Sequence, residues 1–151
     1  MPAWSPIRTI PVGGIVAVGF LDEERVAVGS HAGLGVFDAA GGARLDRVPD
    51  IPGEYPWHRD SPPSIVYDDH RGQQVVPAAG LWGGRLAAAT ADGWTADLTP
   101  TGGRLQGPDG TVLVVDDAEE PRAHGFSPGG RVFVHATSSA LHVAVRVAQA
   151  G

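Results

Sequence analysis

At 151 residues, with a formal net charge of −6 and no Cys, the chain can bury one core without covalent staples and has no thiol for a nucleophile, a disulfide or a thiolate zinc site. All 11 basic residues are Arg, which excludes Schiff-base and phosphate-loop lysines, and their scatter along an acidic chain lacks the basic stripe of a nucleic-acid binder. The absence of Lys and Asn beside many Ala, Gly, Pro and Arg fits a GC-rich, for example actinobacterial, genome.

Thr9 to Val12, flanked by Pro6 and carrying Pro11, suits an edge strand. The apolar run Ile10 to Phe20 is broken by Pro11, Gly13 and Gly14, is too short to cross a bilayer and follows no charged leader, so a soluble, cytoplasmic protein without a membrane partner is expected. Ile15–Val18, Val26–Val28, Leu34–Phe37 and Arg44–Val48 are strand-like and separated by the turn residues Asp22–Glu24, Ser30–Gly33 and Ala40–Gly42. Their spacing predicts a four-stranded meander. Asp50 to Pro63 is rich in Pro without periodicity and reads as a loop. Ser64–Tyr67 and Gln74–Pro77 then form a hairpin with its tip at Asp68–Gly72.

The first unit returns. Arg85, Gly93, Gly102 and Leu105 follow Arg25, Gly33, Gly42 and Leu45 each by 60 residues, so a second unit is expected over 79–106, with Gly33 and Gly93 at hairpin tips that need positive φ. Val112–Val115 is a continuous apolar strand, and Asp116–Glu120 an acidic connector. Gly125-Phe126 and Arg131–Val134 repeat Gly19-Phe20 and Arg25–Val28 and open a third unit over 123–147, whose fourth strand is missing. No segment has helical periodicity. Leu141, Val143, Val145 and Val147 alternate with period two.

The expected fold is therefore all-β: a single domain over 1–151, built of antiparallel four-stranded meander units at about 15–48, 79–106 and 123–147, with an insertion over 50–77. The wording GF…RVAVGS…GLGVFDAAGGARL and GFSPGGRVFVHATSSALHVAV resembles WD40-like and other bacterial β-propeller blades, without their Trp-Asp and Gly-His dipeptides. That resemblance implies a propeller-like array of about three blades. Propellers close with about four to eight, so either further strands from 64–77 and 112–115 complete a compact meander, or two chains pair as a homodimer and the N-terminal strand supplies the missing outer strand.

Gly125-Phe126-Ser127-Pro128-Gly129 matches the G-x-S-x-G hydrolase elbow. Here a strand rather than a helix follows, and Pro128 lacks the N–H that an oxyanion hole needs, so a hairpin turn is expected. The insertion carries Trp57, His58, Asp60, Tyr67, Asp68, Asp69 and His70, aromatics and acid–base groups on a long loop and hairpin, which marks it as a candidate binding region. Trp82 and Trp94 sit at turns, where an aromatic can anchor an interface. Packing in the core is the other reading of Trp94. His31, His124, His135 and His142 share no spacing and read as packing or surface residues. No metal, cofactor or catalytic residue is assigned. The leading expectation is a non-enzymatic interaction module, of adaptor or immunity type, with a protein partner that can be the chain itself. The alternatives are a small-molecule- or metal-dependent enzyme using the 54–71 insertion, and a sugar-binding half-propeller stacking ligands on Trp57, Tyr67, Trp82 or Trp94.

Overall fold

The computed structural model describes residues 3–49, 55–69 and 72–147; among these every regular element is a β-strand. Two N-terminal strands, β1 (Ala3–Trp4) and β2 (Arg8–Pro11), precede β3 (Ile15–Phe20), β4 (Arg25–Ser30), β5 (Gly33–Asp38) and β6 (Arg44–Pro49). These four pair in chain order as an antiparallel meander, within two residues of the boundaries expected from sequence. Asp22 fixes the first turn: its Oδ1 accepts the N–H groups of Glu24 and Arg25 at 2.9 and 2.8 Å, the local bonding that makes Asp a turn former.

The expected hairpin is β8 (Pro63–Asp69) and β9 (Gly72–Gly80). The segment read as loop contains one short strand, β7 (His58–Asp60), that pairs with β8. Because β9 also pairs with β3, a seven-stranded sheet results, in the order β6-β5-β4-β3-β9-β8-β7, and it curls into a half-barrel. Its inner face closes around Val16, Ala27, Leu34, Val36, Trp57, Ile65 and Tyr67.

The second unit departs from the first. Residues 81–94 make only isolated bridges, Gly83 to Gly80, Ala87 to Phe126 and Ala89 to Thr95, where a strand equivalent to Arg25–Val28 is expected from sequence. The sequence Leu86–Ala89 has Ala in place of Val, and Ala is a poor strand former because it has little side chain to pack on a pleated surface. Strands β10 (Thr95–Thr99), β11 (Gly102–Gln106) and β12 (Val112–Asp116) follow as a separate three-stranded sheet. Gly33 and Gly93 do share positive φ, +130° and +93°. Leu45 is 54% exposed at a bulge of the edge strand β6, however, while Leu105 is fully buried because its face of β11 packs against Phe126 and Phe133.

The third unit is β13 (Pro121–Phe126), β14 (Val132–Thr137) and β15 (Ala140–Val147). Its missing outer strand comes from the same chain: β1 and β2 both pair with β15. This sheet forms the middle of three layers. Val132, Val134, Ala136, Leu141 and Val143 pack against Ile15, Val18, Val26, Val28 and Phe37 of the half-barrel sheet. From its opposite face Phe126, Phe133 and Ala144 meet Ala96, Leu105 and Val115 of the three-stranded sheet, with Trp4 and Trp94. Coverage on both faces is why every residue of β14 is buried, as in any doubly covered strand. Among the described residues there is no helix long and apolar enough to cross a membrane.

Candidate functional site

The insertion contributes an aromatic cluster. Trp57 is 2% exposed and lies over Gly29 of β4, where a Cβ would stand 2.1 Å from its ring. Tyr55, His58 and Trp82 gather on Trp57, with the His58 and Trp82 ring centroids 4.3 Å apart and those of Tyr55 and Trp82 5.1 Å apart. His31 Nδ1 and the Tyr55 hydroxyl share a hydrogen bond of 3.0 Å. His58 Nδ1 is 3.3 Å from Asp60 Oδ1, on a carboxylate that is otherwise solvated.

The other insertion residues lie elsewhere. Tyr67 is buried and donates to Asp46 Oδ2 at 2.6 Å; that bond, then burial, pushes its hydroxyl up to about 12. Asp68 accepts from Gln73 Nε2 at 3.4 Å across the hairpin, and Asp69 pairs with Gly72 at its tip. Because His58 pairs with Ile65, Asp68 stands three residues along β8, roughly 10 Å away at the rise of a strand. His70 lies outside the described residues. Trp94 is in another layer, 2% exposed and edge-on to Trp4. Trp4 and Trp94 also flank Arg146, whose guanidinium is 4.6 Å from the Trp4 ring and holds Asp92 with two bonds of 2.7 and 2.9 Å.

Ser127 of the G-x-S-x-G stretch occupies the turn between β13 and β14. Its hydroxyl is 1% exposed, donates to Glu23 Oε1 at 2.5 Å and accepts from the Val132 N–H. Glu23 also accepts the N–H groups of Gly129 and Arg131. The serine ties the first unit to the third and is closed to a substrate.

Linear spacing concealed a second cluster. The pairing registers of β13, β14, β15 and β2 place His124, His135, His142 and Thr9 directly side by side. His124 and His135 share a hydrogen bond of 2.9 Å between their Nδ1 atoms. His142 bonds Thr9 through Nδ1 at 2.9 Å and Asp117 through Nε2 at 2.8 Å, and Thr137 donates to the same Asp117 oxygen. Gly103 of β11 covers the row: a Cβ there would lie 2.8 Å from both His124 and His135.

The Nε2 atoms of His124 and His135 are buried without a partner. In a neutral pair that shares one Nδ1 proton, the accepting ring carries its own proton on Nε2, so one of the two has a stranded donor. Burial lowers His124, and burial with the neighbouring His124 and His142 lowers His135 to about 4. Burial alone would raise Asp117, but bonds from His142, the Glu119 N–H and Thr137 outweigh it and hold the carboxyl below the usual range. Among the described residues no three His, Cys, Asp or Glu converge as metal ligands.

Asp117 immediately follows β12, so the histidine row anchors the end of that strand. Among the described residues β12 pairs with β11 alone. The flanking bonds, Asp117 N–H to Thr101 and Gly107 N–H to Thr111, fix the alternation of the ladder: the backbone N–H and C=O of Val112, Val114 and Asp116 point away from β11. Val112 and Val114 are also 46% and 55% exposed. The other edges among the described residues differ: β6 carries Arg44, Asp46, Arg47 and Pro49, β7 has three residues, β10 and β13 each meet one residue of the preceding segment, Ala89 and Ala87, and the edge shared by β1 and β2 is two short strands, with Arg8 and Pro11 in β2. Comparison with protein-family models, with curated proteins and with solved structures returned no match, so the functional reading of this chain rests on its own residues.

Proposed function

We propose that the protein is a non-enzymatic interaction module whose β12 edge accepts an added strand, and that the partner at this edge is a second copy of the chain. The observation that carries the reading is an apolar edge strand, Val112–Asp116, with outward backbone groups and no charge until its last residue. Natural sheets block such edges because an open one templates pairing with another chain. The strand is self-complementary: antiparallel pairing about Val114 sets Val114 against Val114, Leu113 against Val115 and Val112 against Asp116. The two Asp116 carboxylates then lie roughly 13 Å apart, four residues at the rise of a strand, so they do not repel at contact. On this reading three meander units form a propeller-like array, the last one completed by β1 and β2, and two chains join through their three-stranded sheets.

Sedimentation of the full chain tests it. The expected mass is twice the 15.6 kDa of one chain. Val114→Pro removes an outward N–H without breaking a bond to β11, and Val114→Lys places a charge at the edge; both are expected to yield a monomer with unchanged circular dichroism. A wild-type monomer at all concentrations, or a dimer that survives both substitutions, overturns the proposal.

A further inference from the structure

A groove of about 530 Å³ opens between the turn that follows β2 and the face of β4, β5 and β6. Two of the β5 residues on that face are Gly33 and Gly35, which add no side chain to the floor, and the edge of the Phe37 ring reaches over Gly35, its Cε2 2.8 Å from where a Cβ would be. Pro11, Val12 and Gly13 form one wall, Arg44 and Arg47 the other. The register pairs Phe37 with Arg44 and Gly35 with Arg47, so the two arginines stand about 7 Å apart along one side of the trough, two pleat positions at about 3.4 Å each. Arg8 reaches over Gly42 at the end of the groove. No Asp or Glu among the described residues lines it, although the chain has 17 acidic residues against 11 arginines. Among the described residues, neither the Arg44 nor the Arg47 guanidinium has a carboxylate partner.

We propose that this groove is a binding site for a small molecule with two anionic groups, carboxylate or phosphate, held by Arg44 and Arg47. A guanidinium presents a planar fork that matches either oxyanion with two parallel bonds, and two forks on one wall select a ligand with two acidic ends. The volume is that of a small-molecule site. Overall charge does not supply this preference, since a net charge of −6 disfavours anions and leaves the attraction to the local arginines. The competing explanation is that Arg44 and Arg47 merely guard the β6 edge, in which case no anion binds.

Isothermal titration of the full chain at low ionic strength, with pyrophosphate in one arm and glutarate in the other, separates these. Saturable one-site binding is expected in at least one arm, and the tighter arm identifies the acid group. Arg44→Gln with Arg47→Gln is expected to weaken it tenfold or more, while Arg59→Gln, on the exposed β7 strand, leaves it unchanged. Denaturation midpoints show that the variants fold, as substitutions at exposed edge positions should. Absence of binding in both arms, equal affinity in the double variant, or an equal loss in Arg59→Gln overturns the proposal.

Discussion

Replacing His135 by Phe tests whether the buried histidine row makes stability depend on pH. In the folded chain His135 stays neutral down to about 4 because it is buried beside His124 and His142, whereas in the unfolded chain an imidazole takes up its proton near 6.5. Between these values the unfolded state binds more protons. Stability is therefore complete above pH 6.5, falls as pH drops toward 4, and loses nothing further from this group below that. The interval corresponds to about 3 kcal/mol at about 1.4 kcal/mol for each pH unit, and about 2 kcal/mol after allowing for solvent screening along the row. Urea denaturation from pH 8 to pH 4 should show the wild type losing about 2 kcal/mol more than His135→Phe across this window, whatever their difference at pH 8. The carboxylates do not imitate the effect, since Asp117 and Asp92 are held below the usual carboxylate range and their contributions fade only at lower pH. Parallel pH profiles for the two proteins would refute the reasoning.

Two further outcomes follow from packing and charge. Gly29→Ala pushes a methyl into the Trp57 ring, 2.1 Å away, and should cost about 1–3 kcal/mol as overpacking does, with a shift in tryptophan emission; a change under about 0.5 kcal/mol on denaturation would count against the slot described here. Asp92→Asn breaks the bidentate bond to Arg146 and should cost about 0.5–1 kcal/mol at pH 7, most of it gone in 1 M salt, since half the carboxylate is exposed. Because bonds from Arg146 and Thr90 depress Asp92 to about 2, its contribution should persist to lower pH than that of an ordinary carboxylate and vanish as pH falls through 2. A salt-independent loss would show that the stacking on Trp4, not the charge, matters.

The first unit was legible because its turn residues act locally: Asp22 caps its own turn, and Gly33 supplies the positive φ that the next one needs. The strand expected over 85–88 forms only isolated bridges, because its likeness to β4 lies in position and not in the β-branched side chains that hold a strand. Trp57 looked like a loop residue, since the slot that buries it is cut by Gly29, 28 positions earlier. His124, His135 and His142 are separated by 11 and 7 residues, and only the register of three strands makes them neighbours. Val112–Val115 was recognisable as a strand, but a continuous apolar run suggests burial on both faces, and only its place outermost in the sheet reveals an open edge.

The pairing of β2 with β15 joins residues 8–11 to residues 140–143. During synthesis the early strand must wait, unmatched, while more than a hundred residues emerge. Closing a loop over such a span costs entropy before any contact rewards it, and the central layer is complete only once β15 has emerged to take β1 and β2 beside it. A ribosome-stalled chain ending before residue 140 would leave β1, β2 and one side of β14 without the strand they pair with and should be bound by chaperones until β15 arrives.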